Sequence, residues 1–140
     1  MLYPMFAMVI LSFSVLLMLF RGRVQAVRDG RVSLDFFRIY QGSAEPESSA
    51  KLARHFANLF EAPILFYVAC LAAMITHVTG PAMQILAWLY VAARCVHAYV
   101  HLGANRIRYR VRAYFFSWLI LLALWITLVA AVALRRSYSI

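Results

Sequence analysis

Acid is the scarcest thing in this chain. Among 140 residues there are five Asp and Glu against fourteen Lys and Arg, and charged residues together make up only 14%. A soluble domain carries roughly a quarter of its residues charged, so an ordinary water-facing surface is excluded. Beyond Glu47 a single acidic side chain remains, Glu61. Cysteine is nearly absent too. Cys70 and Cys95 both fall inside apolar runs, which argues against a disulfide framework or a metal pair and reads as two buried, reduced, small apolar groups. No Lys or Arg precedes the first apolar run, and no small-residue cleavage site separates it from Arg21, so it reads as a retained helix rather than a signal peptide. Neither an internal repeat nor a low-complexity tract is present.

Apolar side chains are what the chain has in excess, at 65%. They gather in four runs, at about residues 3–20, 53–78, 82–102 and 113–134, and about 20 such residues span a bilayer. The expectation is one integral, multi-pass membrane domain over residues 1–140: all-α, a four-helix transmembrane bundle with the lipid bilayer as its solvent. The net charge of +9 does not point to nucleic acid, because the cations cluster in short connections between spans. Residues 21–51 carry Arg21, Arg23, Arg28, Arg31, Arg38 and Lys51; residues 103–112 carry Arg106, Arg108, Arg110 and Arg112; residues 77–81 carry neither Lys nor Arg. The positive-inside rule then places both basic connections in the cytoplasm and both termini outside. Within the first connection, Leu34, Phe36 and Phe37 suit a segment lying on the membrane or the bundle, and Ser48 or Ser49, after a turn over residues 43–49, is the expected cap of the next helix.

Two polar stripes interrupt this apolar pattern. Arg54, Asn58 and Glu61, spaced by four and three, share one face of a helix. A charge inside a span costs roughly 2.5–3.5 kcal/mol on insertion scales, so Glu61 must face protein or water. Pro63 frees the carbonyl of Leu59 and predicts a kink beside it. The third span ends with Arg94, His97, His101, Asn105 and Arg108, again on one helical stripe. Both stripes lie in the cytoplasmic half, and Arg94 and Glu61 are the natural charge partners. His97 and His101, one turn apart, also suit a metal or haem. An opposing His would be needed, and His55 lies about 100° off the Arg54 face, so no metal site is expected. His55 and His77 read as interfacial.

At these stripes the sequence resembles the MAPEG family, membrane-associated proteins of eicosanoid and glutathione metabolism. The carrying residues are Arg54, Asn58, Glu61 and Pro63, then Arg94, His97, His101, Leu102-Gly103, Arg106, Arg110 and Tyr114. The likeness covers roughly residues 51–130. His101 stands where glutathione-binding relatives have Tyr, and Val111 where the family's prostaglandin synthase has Ser. The resemblance implies a homotrimer in a bacterial-type inner (plasma) membrane, with glutathione as co-substrate bound between protomers. Arg54, Asn58, Glu61, Arg94, His97, His101 and Tyr114 would bind it, the arginines holding carboxylates and Glu61 the ammonium. Arg110, or alternatively Arg108, would activate the thiol. The implied activity is transfer of glutathione to, or peroxide reduction of, a lipophilic small-molecule substrate arriving from the bilayer. Two other classes stand beside it. A structural membrane protein would use the same polar residues as an interhelical network. A small exporter would place a Glu in the first span, where this chain has none.

Overall fold

The computed structural model of the chain describes residues 1–39, 46–103 and 105–137. Its helices are α1 (Leu2–Arg28), α2 (Leu34–Ile39), α3 (Glu47–Asn58), α4 (Ala62–Ile75), α5 (Pro81–Leu102) and α6 (Ile107–Ser137). Four stretches are long and apolar enough to cross a membrane: Leu2–Arg28, Glu47–Ile75, Pro81–Leu102 and Ile107–Arg135. The protein is an all-α, four-helix transmembrane bundle. α5 and α6 form the main hairpin, α1 packs on α3, α4 and α5, α3 packs on α5, and α4 packs on α6.

Alanines and Cys70 are among the wholly buried residues at the helix contacts, together with a few large side chains such as Phe66, Tyr90 and Arg94, while many large apolar side chains face outward. Ala62, Ala69, Cys70, Ala73 and Ala87 are wholly buried, while Phe6, Phe13, Leu119 and Ile126 each expose about 60% of their surface. In water that pattern would be a liability; in lipid it is what close helix packing requires, since tails solvate the large groups and small groups let backbones approach. In the buried core Phe66 of α4 stacks on Tyr90 of α5, with ring centroids 4.5 Å apart and planes 19° from parallel.

Helix ends decide where the polar residues go. α1 runs past its apolar part to Arg28, about 40 Å in all against a hydrocarbon core of about 30 Å, so its basic last turns stand clear of the core. It stops where Gly30 takes φ +67°, with the Gly30 and Arg31 amides closing on Val27 and Ala26 carbonyls. Of the turn expected over residues 43–49, residues 43–45 lie outside the described residues. α3 starts at Glu47, one residue ahead of the serines. Pro46 precedes it, neither serine caps it, and the Ser49 hydroxyl donates back to the Pro46 carbonyl at 3.2 Å.

The second membrane segment is broken rather than kinked. α3 ends at Asn58, the Leu59 and Phe60 amides close tight turns on Phe56 and Ala57, and α4 starts at Ala62. Pro63 thereby sits in the first turn of a new helix, where its missing N–H costs nothing. At the far end of α5 a second interruption follows Gly103. A Cβ there would lie 2.8 Å from the Tyr99 carbonyl oxygen, so only glycine fits the turn. Asn105 then takes φ +48°, a conformation its short amide tolerates. The stripe read from Arg94 through Arg108 therefore ends at His101: Asn105 and Arg108 leave the α5 face because the helix has stopped.

The wholly buried alanines of α4 should be intolerant of size. Ala69→Leu is expected to lower stability by about 1–3 kcal/mol through overpacking, whereas Val68→Leu, on the outer face, should be near neutral. Unfolding of the two variants in detergent, monitored by circular dichroism, checks this.

Candidate functional site

The break between α3 and α4 builds the site. In an uninterrupted helix the Asn58 carbonyl would accept the amide of residue 62. Here it is left over at a helix C-terminus, where a cation is favoured, and Arg94 of α5 donates to it from Nη2 at 2.8 Å. Arg94 is fully buried, and its Nε and Nη1 have no hydrogen-bond partner. The expected pairing of Arg94 with Glu61 does not form. Glu61 sits at the N-cap of α4, exposed, and its Oε2 accepts the Tyr114 hydroxyl of α6 at 3.0 Å. Tyr114 stands between the two charges, its ring 6.0 Å from the Arg94 guanidinium carbon and 5.6 Å from the His97 ring.

On the open side of this wall lies a cavity of about 190 Å³ lined by Asn58, Glu61, His97, Arg110, Val111, Tyr114 and Phe115. Toward the loops a second, smaller cleft of about 60 Å³ is lined by Glu47, Lys51, Arg54, His101, Asn105 and Arg110. Arg110 belongs to both. The α5–α6 turn holds it there, because Asn105, placed by the turn after Gly103, accepts from Arg110 Nη1 at 3.1 Å. Lys51 ties α3 to the same turn by donating to the Gly103 carbonyl at 3.1 Å.

The structure therefore divides the residues singled out from sequence. Asn58, Glu61, His97, Arg110 and Tyr114 surround the larger cavity, with Arg94 behind its wall. Arg54 and His101 line the smaller one. Arg108 is exposed and lines neither. Glu61 does not share a helix face with Arg54 and Asn58, since the helix that would align them ends before it; the break leaves Asn58 and Glu61 at the larger cavity and Arg54 at the smaller cleft.

His55 was missed. Read as interfacial, it is completely buried, with its ring 5.3 Å from that of His97 and 4.9 Å from that of His101. The signal was available: His55 and Leu59 are four apart and share one helix face, with His55 about 100° from Arg54, and that face is the one α3 turns to α5. Among the described residues no three His, Cys, Asp or Glu side chains are arranged to hold a metal ion.

The family model described as MAPEG matches residues 1–130 of the chain. Searches of curated proteins and of solved structures return no match.

Arg94 holds a charge out of solvent with one hydrogen bond, and replacing such a group by an apolar one of similar volume is often neutral or stabilising. Arg94→Met is thus expected to leave the unfolding temperature in detergent unchanged or raised. The bare Asn58 carbonyl costs about 1–3 kcal/mol, offset by the charge that no longer needs burying. A fall in stability larger than that cost would mean that Arg94 is there for structure alone.

Proposed function

The chain belongs to the MAPEG family, and from that premise we propose that it is a membrane-bound, glutathione-dependent transferase or peroxidase acting on lipophilic electrophiles. The observation that carries the reading is Arg110, fixed by Asn105 where the larger cavity and the loop-side cleft meet. Glutathione offers two carboxylates, an ammonium and a thiol. Arg54, Lys51 and Arg110 supply cations for the carboxylates, and Glu61 supplies an anion for the ammonium. A thiol seated against Arg110 becomes a better acid, and the thiolate is the nucleophile. Arg110 is preferred to Arg108 for this role because it lines both cavities. Tyr114, already donating to Glu61, borders the same space. An electrophile dissolved in the bilayer would reach the thiolate past Val111 and Phe115, the apolar members of the lining.

The site also supports a homotrimer as the working form. Glu61 is exposed on the isolated chain, at the start of the apolar α4. A carboxylate facing lipid is costly, and a neighbouring copy laid over this side would cover it and close the cavity between protomers. The basic connections support an orientation with both termini outside, and the family resemblance a bacterial-type plasma membrane; the cleft would then open to the cytoplasm, where glutathione is found.

The structural alternative draws on one feature, the Arg94–Asn58 and Tyr114–Glu61 hydrogen bonds, which join α5 to α3 and α6 to the break. Glutathione titration of the purified protein in detergent, followed by thiolate absorbance, separates the two. Saturable binding with a thiolate band is expected, Arg110→Ala should abolish the band, and Glu61→Gln should weaken binding by about 10–100-fold, the loss of one charge-assisted contact. A properly assembled protein that binds no glutathione would leave the structural reading in place.

A further inference from the structure

Three buried imidazoles connect the two cavities. His97 lines the larger one and His101 the loop-side cleft, and His55 of α3 lies against both. The ring centroids are 5.3 Å apart for His97–His55 and 4.9 Å for His55–His101, shorter steps than the 5.7 Å between His97 and His101 directly. All three side chains are within 2% of complete burial. Yet both nitrogens of His55 and Nδ1 of His97 and of His101 have no hydrogen-bond partner. Rings kept only for shape would be better served by apolar side chains, because a buried nitrogen left unpaired is destabilising. Four unpaired nitrogens on three neighbouring rings are groups that a buried water can satisfy. The charges facing the cluster are Arg94 from α5, Lys51 and Arg54 from α3, and Arg110 from α6, with Glu47 in the cleft and Glu61 and Tyr114 across the cavity. That cationic ring disfavours a bound metal ion.

We propose that His97, His55 and His101 form a proton path from the larger cavity to the loop-side cleft, carrying away the proton that a bound thiol gives up. Each neutral imidazole has one accepting and one donating nitrogen. The S–H bond breaks and its electron pair stays on sulfur. A ring nitrogen of His97 takes the proton, and the other nitrogen releases one toward His55. His55 passes a proton to His101 in the same way, and His101 releases one to water in the cleft. Rotation of a ring or one intervening water closes each step, and one proton enters for each that leaves. This assignment rests on the glutathione reading for the source of the proton. His55 acts through the other two imidazoles and touches no substrate.

The test is stopped-flow mixing of the full-length protein in detergent with glutathione, in weakly buffered solution containing a pH-indicator dye. His55→Gln should bind glutathione as tightly as the parent and reach the same final thiolate absorbance, but release the proton about tenfold or more slowly. Imidazole added to the solution should restore the rate. Release at the parent rate, or a slow release that imidazole does not relieve, overturns the path. A second arm needs no glutathione: in protein labelled with ¹⁵N-histidine, exchange of the His97 ring proton with water should slow in His55→Gln, and unchanged exchange overturns the path. If the parent binds no glutathione, the functional reading fails by itself and the exchange arm alone decides the path. Should His55→Gln not assemble, as judged by gel filtration, His101→Gln is measured in the exchange arm with the same criteria.

Discussion

The polar interior is organised around one hydrogen bond, the Arg94 guanidinium on the Asn58 carbonyl left over by the broken helix. Without a broken helix there would be no spare carbonyl, and without a buried cation the broken end would be left bare in an apolar surrounding. The same break sets Glu61 at the start of α4, where a carboxylate is favoured, and opens the space that Tyr114 and Arg110 enter from α6. Pro63 is compatible with the break but does not compel it; a proline within a membrane helix commonly leaves only a kink. Arg94 on the neighbouring helix gives the carbonyl freed by the break a hydrogen-bond donor.

Around this interior the bundle follows the rules of a lipid solvent. Close approach of helices through Ala69, Ala73 and Ala87 replaces the hydrophobic driving force that lipid cannot supply. Precision then comes from backbone–side-chain bonds between elements, Lys51 to the Gly103 carbonyl and Arg135 to the Thr76 carbonyl, at opposite ends of the bundle. The site is placed on such tied ends and not on the smooth apolar middle. That is why its residues sit at helix termini: Asn58 last in α3, Glu61 before α4, His101 one residue from the end of α5, Arg110 in the first turns of α6.

The functional reading and the histidine path share an electrostatic logic. Cations outnumber acids throughout the chain, and the cleft concentrates this imbalance, with Lys51, Arg54 and Arg110 against Glu47. On the proposed function, such a cleft would attract an anionic, thiol-bearing ligand and stabilise its thiolate. A thiolate forms only if its proton leaves, and in a half-enclosed site water alone is a poor acceptor. Three imidazoles between the inner cavity and the loops answer that need with groups that carry a proton without retaining a charge.

Much of this was legible before any coordinates. Four apolar runs and basic connections determined an all-α membrane bundle, because bilayer thickness and helical period act on sequence directly, and Arg54, Asn58 and Glu61 with Arg94, His97 and His101 carried the resemblance to the MAPEG family. Those same periodicities assume unbroken helices, and there they ended. The structure alone decided that Arg94 meets a carbonyl and not Glu61, that Arg110 and not Arg108 enters the cavity, and that His55 faces inward. Each of these depends on where a helix stops and on which neighbour lies across from it. Gly103 and the α3–α4 break rotate the following residues off the stripe that spacing predicts, and no property of a single helix records that rotation.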